Sequence, residues 1–152
     1  MLPFHQTGNT LLLWGPWEHR LNVFVRKVGE NKAGRITGAR QRDIARYAWA
    51  NNRRIVYIQD NGGDENFKLY AVDIDGSNFK EITPFEEVRV GIVDRLEDIE
   101  DEMLISMNKR DKRIFDVYRI NVNTGKMKND RQLCQSQRAI KSNLAGVSCR
   151  YD

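Results

Sequence analysis

Histidine and cysteine are scarce in this chain of 152 residues, with two of each and only three prolines beside them. Both histidines, His5 and His19, stand near the N-terminus, which leaves no imidazole base further along the chain. Two cysteines, Cys134 and Cys149, make neither a disulfide framework nor a zinc site. Free thiols are the expectation for them, and a bridge between the two is the alternative. No stretch approaches the ~18 consecutive apolar residues with which a helix crosses a bilayer, so no membrane partner is expected. The opening segment Met1–Gly15 has no basic region ahead of a long apolar run and no small-residue cleavage site behind it, so no secretory signal is read there. The compartment stays open.

Charge is abundant but unevenly placed. The net charge is +4, and from Lys126 onward six basic residues face two acidic ones, so the whole excess belongs to the C-terminal end. The part before it is neutral. A solvated basic tail over residues 128–152 is favoured over a phosphate-binding patch, and no nucleic-acid partner is expected.

The remaining sequence repeats itself. Apolar runs begin at Leu11, Ile55 and Met103, 44 and 48 residues apart, and each is followed after a polar turn by a second strand-like run: LNVFVRKV, LYAVDI and DVYRINV. Aligned by their alternation, these second runs place Val23 with Tyr70 and Tyr118, and Val25 with Val72 and Ile120. Apolar residues at every second position share one face of a strand. A turn and a third strand signal follow at Gly34-Arg35-Ile36-Thr37 and, 46 residues on, around Ile82-Thr83. The third unit shows only Asn123-Thr124-Gly125 before the pattern decays, and the first has no evident opening strand. The segment Gln41–Ala50 is the one stretch that could be helical, although Trp49 suits an inner strand equally well.

A period in the mid-forties built of short strands and Gly/Asn/Asp turns is that of a β-propeller blade; helical repeats would show a 3.6-residue apolar period, which is missing. The fold expected is therefore all-β: a partial β-propeller of about three four-stranded antiparallel blades over 1–127, with blades at about 1–40, 41–87 and 88–127, and an irregular C-terminal tail. Closed propellers use about four to eight blades. Three blades expose two edges, so the chain is expected to be a fragment, or to self-associate through its open blade edges.

Several stretches in order resemble one family. They are Asn22–Val25; Arg42, Ile44, Tyr47, Trp49 and Ala50; Gln59-Asp60-Asn61-Gly62-Gly63-Asp64-Glu65-Asn66; Leu69–Asp73; Ile82–Phe85; Asn108–Asp111; and Asp116–Arg119. Over residues 10–127 the chain resembles the N-terminal propeller of bacterial prolyl-oligopeptidase-family serine peptidases of the acylaminoacyl-peptidase and dipeptidyl-aminopeptidase type. The resemblance implies a propeller that precedes an α/β-hydrolase domain carrying a Ser, Asp and His triad. None of the five serines here is flanked by glycine at both −2 and +2, so no catalytic residue carries over. What it implies for this chain is a non-catalytic element that gates or positions peptide substrate, with that hydrolase domain as partner. A TolB-like propeller that binds protein partners without enzymatic activity is the alternative.

The loop Asp60, Gly62, Gly63, Asp64, Glu65 and Asn66 is the family-motif site. Its carboxylates could hold a cation or a peptide amine, but the favoured reading is a glycine-enabled inter-strand turn with solvated charges. Asp73, Asp75 and Ser77 have the spacing of the first three ligands of a calcium loop, yet Asn78 and Pro84 stand where glycine and a bidentate glutamate are required, so a hairpin turn is favoured. No cofactor or metal is expected. The pair Glu86-Glu87 follows Thr83-Pro84-Phe85 at a blade junction and is given no substrate-binding role. Trp14, Trp17 and Trp49 are expected in inter-blade cores in preference to a stacking surface, and His19 on an exposed loop.

Overall fold

The computed structural model describes residues 5–129, and among them every regular element is a strand. Twelve strands follow in chain order: β1 His5–Thr7, β2 Thr10–Trp17, β3 Arg20–Lys27, β4 Gly34–Arg35, β5 Arg46–Trp49, β6 Arg54–Gln59, β7 Lys68–Asp73, β8 Lys80–Glu81, β9 Val90–Asp94, β10 Glu102–Asp111, β11 Ile114–Asn121 and β12 Met127–Asn129. They form three four-stranded antiparallel meanders, β1-β2-β3-β4, β5-β6-β7-β8 and β9-β10-β11-β12. Three short-stranded sheets in succession, each closed by local turns, are blades of a partial propeller.

The structure alters four expectations. The first sheet has an opening strand, β1, paired to β2 through Gln6 and Leu11. The third does not decay after Gly125: β12 pairs with β11 through Ile120 and Met127, and it runs past residue 127 to Asn129. The segment from Gln41 to Ala50 is no helix; Arg46–Trp49 pair with β6 instead. The fourth change is one of phase. Phe24 pairs with Arg35, Tyr70 with Glu81 and Tyr118 with Asn129, so Phe24, not Val23, is the counterpart of the two tyrosines. Hydrogen bonds agree: Val23 N donates to Thr37 Oγ1 and Leu69 N to Thr83 Oγ1, both at 2.9 Å, while Ile36 N and Ile82 N donate back to Val23 O and Leu69 O. Val23 therefore corresponds to Leu69.

Why alternation misplaced the phase follows from where the core lies. Leu12, Val23, Trp14 and Val25 of the first sheet pack against Tyr47, Trp49, Ile55, Tyr57 and Val72 of the second. The opposite face of the second sheet, with Val56, Ile58, Leu69 and Ala71, packs on Met103, Ile105, Met107 and Ile120 of the third. The middle sheet is thus buried on both faces, and β6 is buried from Arg54 to Ile58 without interruption. A strand covered on both sides reads as a continuous apolar run, and its period carries no phase.

The turns behave as their residues require. Glu18 and His19 form a two-residue hairpin loop with both φ positive (47° and 64°), a twist that suits the flanking strands. In the turn after β7, Gly76 has φ 85°, and Asp75 Oδ1 accepts from Ser77 N at 2.8 Å and Ser77 Oγ at 2.5 Å. The tail residues 130–152, with both cysteines, lie outside the described residues.

Candidate functional site

In an antiparallel meander the β2–β3, β6–β7 and β10–β11 hairpins share one end with the connections that lead to the next sheet. Ion pairs tie each hairpin to such a connection. Glu18 pairs with Arg40 at 3.2 Å, Asp60 with Arg42 at 3.1 Å, Glu65 with Arg89 at 3.3 Å and Lys112 with Glu87 at 2.5 Å. Leu21 N donates to Asp43 Oδ1 at 2.8 Å, and the buried Lys68 amine bridges Glu81 and Glu86 at 3.3 and 3.2 Å. Glu18–Arg40 and Glu65–Arg89 join a hairpin to the connection leaving its own sheet, whereas Asp60–Arg42 and Lys112–Glu87 join a hairpin to the connection entering it, so the hairpins and the inter-sheet connections are tied together at that end.

The family-motif loop sits at the middle of this end, between β6 and β7. Its carboxylates do not share one environment. The Asp60 side chain is only 3% exposed; its Oδ1 accepts from Arg42 Nε, while its buried Oδ2 accepts from no group among the described residues. Solvated charge is therefore the wrong description of Asp60, because the blade connection at Arg42 folds over it. Arg42 is held in turn by its carbonyl, which accepts from Gln59 Nε2 at 2.7 Å. The hydrogen bond to Asp60 and its charge push the Arg42 guanidinium above its ordinary pKa.

Asp64 and Glu65 are exposed, as expected. Asp64 Oδ1 accepts from Asn66 N at 3.0 Å and Asn61 N at 3.3 Å, and the Asn66 amide reaches Oδ2 at 3.4 Å. The backbone bond from Asn66 is the main reason this carboxyl lies below its ordinary value. Glu65 adopts φ 57° and accepts from Arg89 through both its carbonyl (3.0 Å) and its carboxylate (3.3 Å). Gly62 (φ 63°) and Gly63 (φ 88°) supply the left-handed backbone between them. The Arg42 guanidinium lies beside Gly63, where a Cβ would meet it at an ordinary contact distance of 3.5 Å, so it is the positive φ that calls for glycine there.

Together Gly38–Arg42, Gln59–Gly62 and Tyr70 enclose an open cleft of about 270 Å³. The Tyr70 ring at its wall stacks on Tyr57 (5.3 Å between centroids) and on the exposed Phe79 (5.9 Å), and burial raises both tyrosine pKa values. The cleft thus offers guanidinium, amide and aromatic surface, with one carboxylate at its base. Arg42 was visible in the sequence as part of the motif; Arg89 was not, because an arginine after an acidic pair carries no signal of its own.

Neither serine among the described residues lies in a nucleophilic centre. Ser77 lies in the turn after β7, at the end of the sheets opposite His19, and its hydroxyl is bonded to Asp75. Ser106 is on β10 against Gly91, where a Cβ would come within 2.9 Å of its Oγ. The Asp73 carboxylate of the calcium-like spacing is taken by Arg54 at 2.7 Å and the Asn78 amide at 2.7 Å. Of the tryptophans, Trp49 is buried in the first inter-sheet core and Trp14 packs beside it. Trp17 departs from expectation: the guanidiniums of Arg35 (3.7 Å from the ring centroid) and Arg40 (5.1 Å) both lie over its ring, a cation–π arrangement at the hairpin end. Glu86 and Glu87 face Lys68 and Lys112, so both are engaged in the straps.

The chain is 31% identical over 119 residues to dipeptidyl aminopeptidase BIII of Pseudoxanthomonas mexicana, a match covering 74% of this chain and 17% of that protein. No protein-family profile matches. Among solved structures, TolB from Acinetobacter baumannii aligns with a TM-score of 0.55 at 11% identity, over 80% of this chain and 29% of that one. A putative TolB from Agrobacterium tumefaciens gives 0.55 at 14% identity over 84% of this chain and 49% of that one. A puromycin-hydrolyzing peptidase from Mycobacterium tuberculosis gives 0.54 at 14% identity over 80% and 19%. At such identities these three likenesses concern the fold alone, and all accord with a partial propeller.

Proposed function

Since this chain belongs, as a partial β-propeller, with the dipeptidyl aminopeptidases, we propose that it is the substrate-screening part of a serine peptidase and performs no bond cleavage itself. The observation that carries this reading is the 31% identity over 119 residues to dipeptidyl aminopeptidase BIII, of which the chain spans 17%. The TolB likenesses, at 11% and 14% identity, support the same fold without favouring a partner-binding scaffold.

In this reading the hairpin end is the working surface. Straps such as Arg42–Asp60 and Arg89–Glu65 hold the loops at fixed positions. A rigid rim of that kind admits an extended peptide and rejects a folded protein, because the rim cannot spread without breaking several ion pairs. An α/β-hydrolase domain, the partner the reading requires, would supply the nucleophile, base and oxyanion donors.

Two measurements test it. The purified chain should neither hydrolyse dipeptidyl chromogenic substrates nor be labelled by a fluorophosphonate; labelling at any of its serines would overturn the proposal. In the polypeptide that joins this sequence to a Gly-x-Ser-x-Gly segment, R42A should raise cleavage of long peptides relative to dipeptidyl substrates. The rate of fluorophosphonate labelling should not change. If the size preference does not move, the rim is not the filter.

A further inference from the structure

Two turns in this chain place a side-chain carbonyl carbon directly before glycine: Asn61-Gly62 in the motif loop and Asp75-Gly76 after β7. In such a pair the glycine nitrogen can attack the preceding Cγ and close a five-membered imide, and the absent Cβ leaves its approach open. The fold treats the two turns oppositely. Gly76 N donates to Asp73 O at 2.8 Å, and the Asp75 carboxylate is held by Ser77 N at 2.8 Å and Ser77 Oγ at 2.5 Å. Nucleophile and electrophile are both tied down there.

At Asn61 neither is. Among the described residues Gly62 N donates to no acceptor, and the Asn61 side-chain amide has no hydrogen-bond partner. Asn61, Gly62 and Gly63 are all exposed, and a Cβ placed on Gly62 would meet no atom beyond its chain neighbours within 4 Å. The backbone bonds that hold Asn61 are long, with Asp64 N donating to Asn61 O and Asn61 N to Asp64 Oδ1, each at 3.3 Å. The residue can therefore turn its Cγ toward the next nitrogen without breaking a strong interaction.

We propose that Asn61 is a site of spontaneous deamidation and isoaspartate formation. Gly62 N bonds to Asn61 Cγ, the Cγ–Nδ2 bond breaks, and ammonia leaves with the proton that Gly62 N gave up. Water then opens the imide. Attack at Cγ restores the ordinary backbone with an aspartate side chain; attack at the backbone carbonyl leaves the chain running through Cγ with a free α-carboxylate. No oxidant or cofactor enters. Either product puts a new negative charge between Asp60 and Asp64 at the mouth of the cleft that Arg42 lines, and the second also lengthens the loop by one backbone atom. The charge facing whatever enters the cleft would change with the age of the protein.

The test incubates the folded chain and the urea-unfolded chain side by side in mildly alkaline buffer, followed by trypsin. Peptides Ile55–Lys68 and Leu69–Lys80 separate the two turns. Amide-to-acid mass gain and enzymatic carboxyl-methylation of isoaspartate are read on each. Folding should leave conversion at Asn61 within about threefold of the unfolded rate and slow conversion at Asp75 by about tenfold or more, a barrier raised by at least about 1.4 kcal/mol. Gly62→Ala should suppress the first reaction and spare the second, and Asn61→Gln should abolish the mass gain of its peptide. A gain that persists in N61Q would move the reaction to Asn66 and overturn the proposal. So would a folded chain in which Asn61 is protected as strongly as Asp75.

Discussion

Replacing Arg54 by alanine should destabilise the protein by about 3 kcal/mol, the cost of removing one partner of a mostly buried ion pair and its associated hydrogen bonds. The Arg54 side chain is 5% exposed at the start of β6. Its Nη1 donates to Asp73 Oδ1 at 2.7 Å and to Asn78 O at 2.9 Å, and its Nε donates to Val122 O, in the turn that follows β11 of the third sheet, at 3.0 Å. Truncation strands a carboxylate and two carbonyls together. A fully buried pair broken this way costs about 3–5 kcal/mol, but the Asp73 side chain is 20% exposed and regains some water, which places the expectation at the low end. With a urea slope of about 2 kcal/mol per molar, the unfolding midpoint should fall by about 1.5 M. Tryptophan fluorescence reports it, since Trp49 is buried in the first inter-sheet core. Arg54→Lys should lie between wild type and alanine, because an ammonium can keep Asp73 but cannot also reach the third sheet. A midpoint shift of less than about 0.5 M for Arg54→Ala would refute the claim that this side chain fastens two blades together.

Other perturbations follow from the same geometry. Asn22→Ala should cost about 3 kcal/mol by urea denaturation, because a fully buried amide that bonds Ala39 O (3.0 Å), Ala39 N (2.7 Å) and Thr37 Oγ1 (2.9 Å) leaves all three unsatisfied. Gly15→Ala would set a Cβ 2.8 Å from the Phe24 ring and should cost about 1–3 kcal/mol; combining it with Phe24→Leu should restore most of the loss. Asp64, whose folded pKa is depressed chiefly by the Asn66 backbone bond, contributes stability that is present above its ordinary pKa of 3.8 and fades as the pH falls through its lower folded value. An NMR titration of its carboxyl should therefore show a midpoint below 3.8, and a midpoint at or above that value would show that the loop does not hold the carboxylate as described.

Much of the architecture was legible from the residues. Turn chemistry at Asp75-Gly76, together with the 46-residue recurrence of Ile36-Thr37 at Ile82-Thr83, located strands and hairpins because these signals are local. Short outer strands were harder to see: β1 and β12 have three residues each, too few for a period to emerge. The strand phase failed for a different reason, since Leu69 and Tyr70 are both apolar and face different cores. Within the candidate site the glycines and carboxylates were evident. Their environments were not, because Asp60 is buried by Arg42, eighteen residues away in the connection from the first sheet.

The sequence by itself determined that this chain folds into three successive blades and that it carries no Gly-x-Ser-x-Gly nucleophile. Those properties depend on neighbours in the chain, on which residues alternate and which can turn. Tertiary structure alone decided which face of each strand meets which blade, that Asp60 and Arg54 become buried charges, and that among the described residues Gly62 N has no acceptor while Gly76 N donates to Asp73 O. These depend on contacts between sheets, where burial and pairing are set by segments far apart in sequence, and no local pattern encodes them.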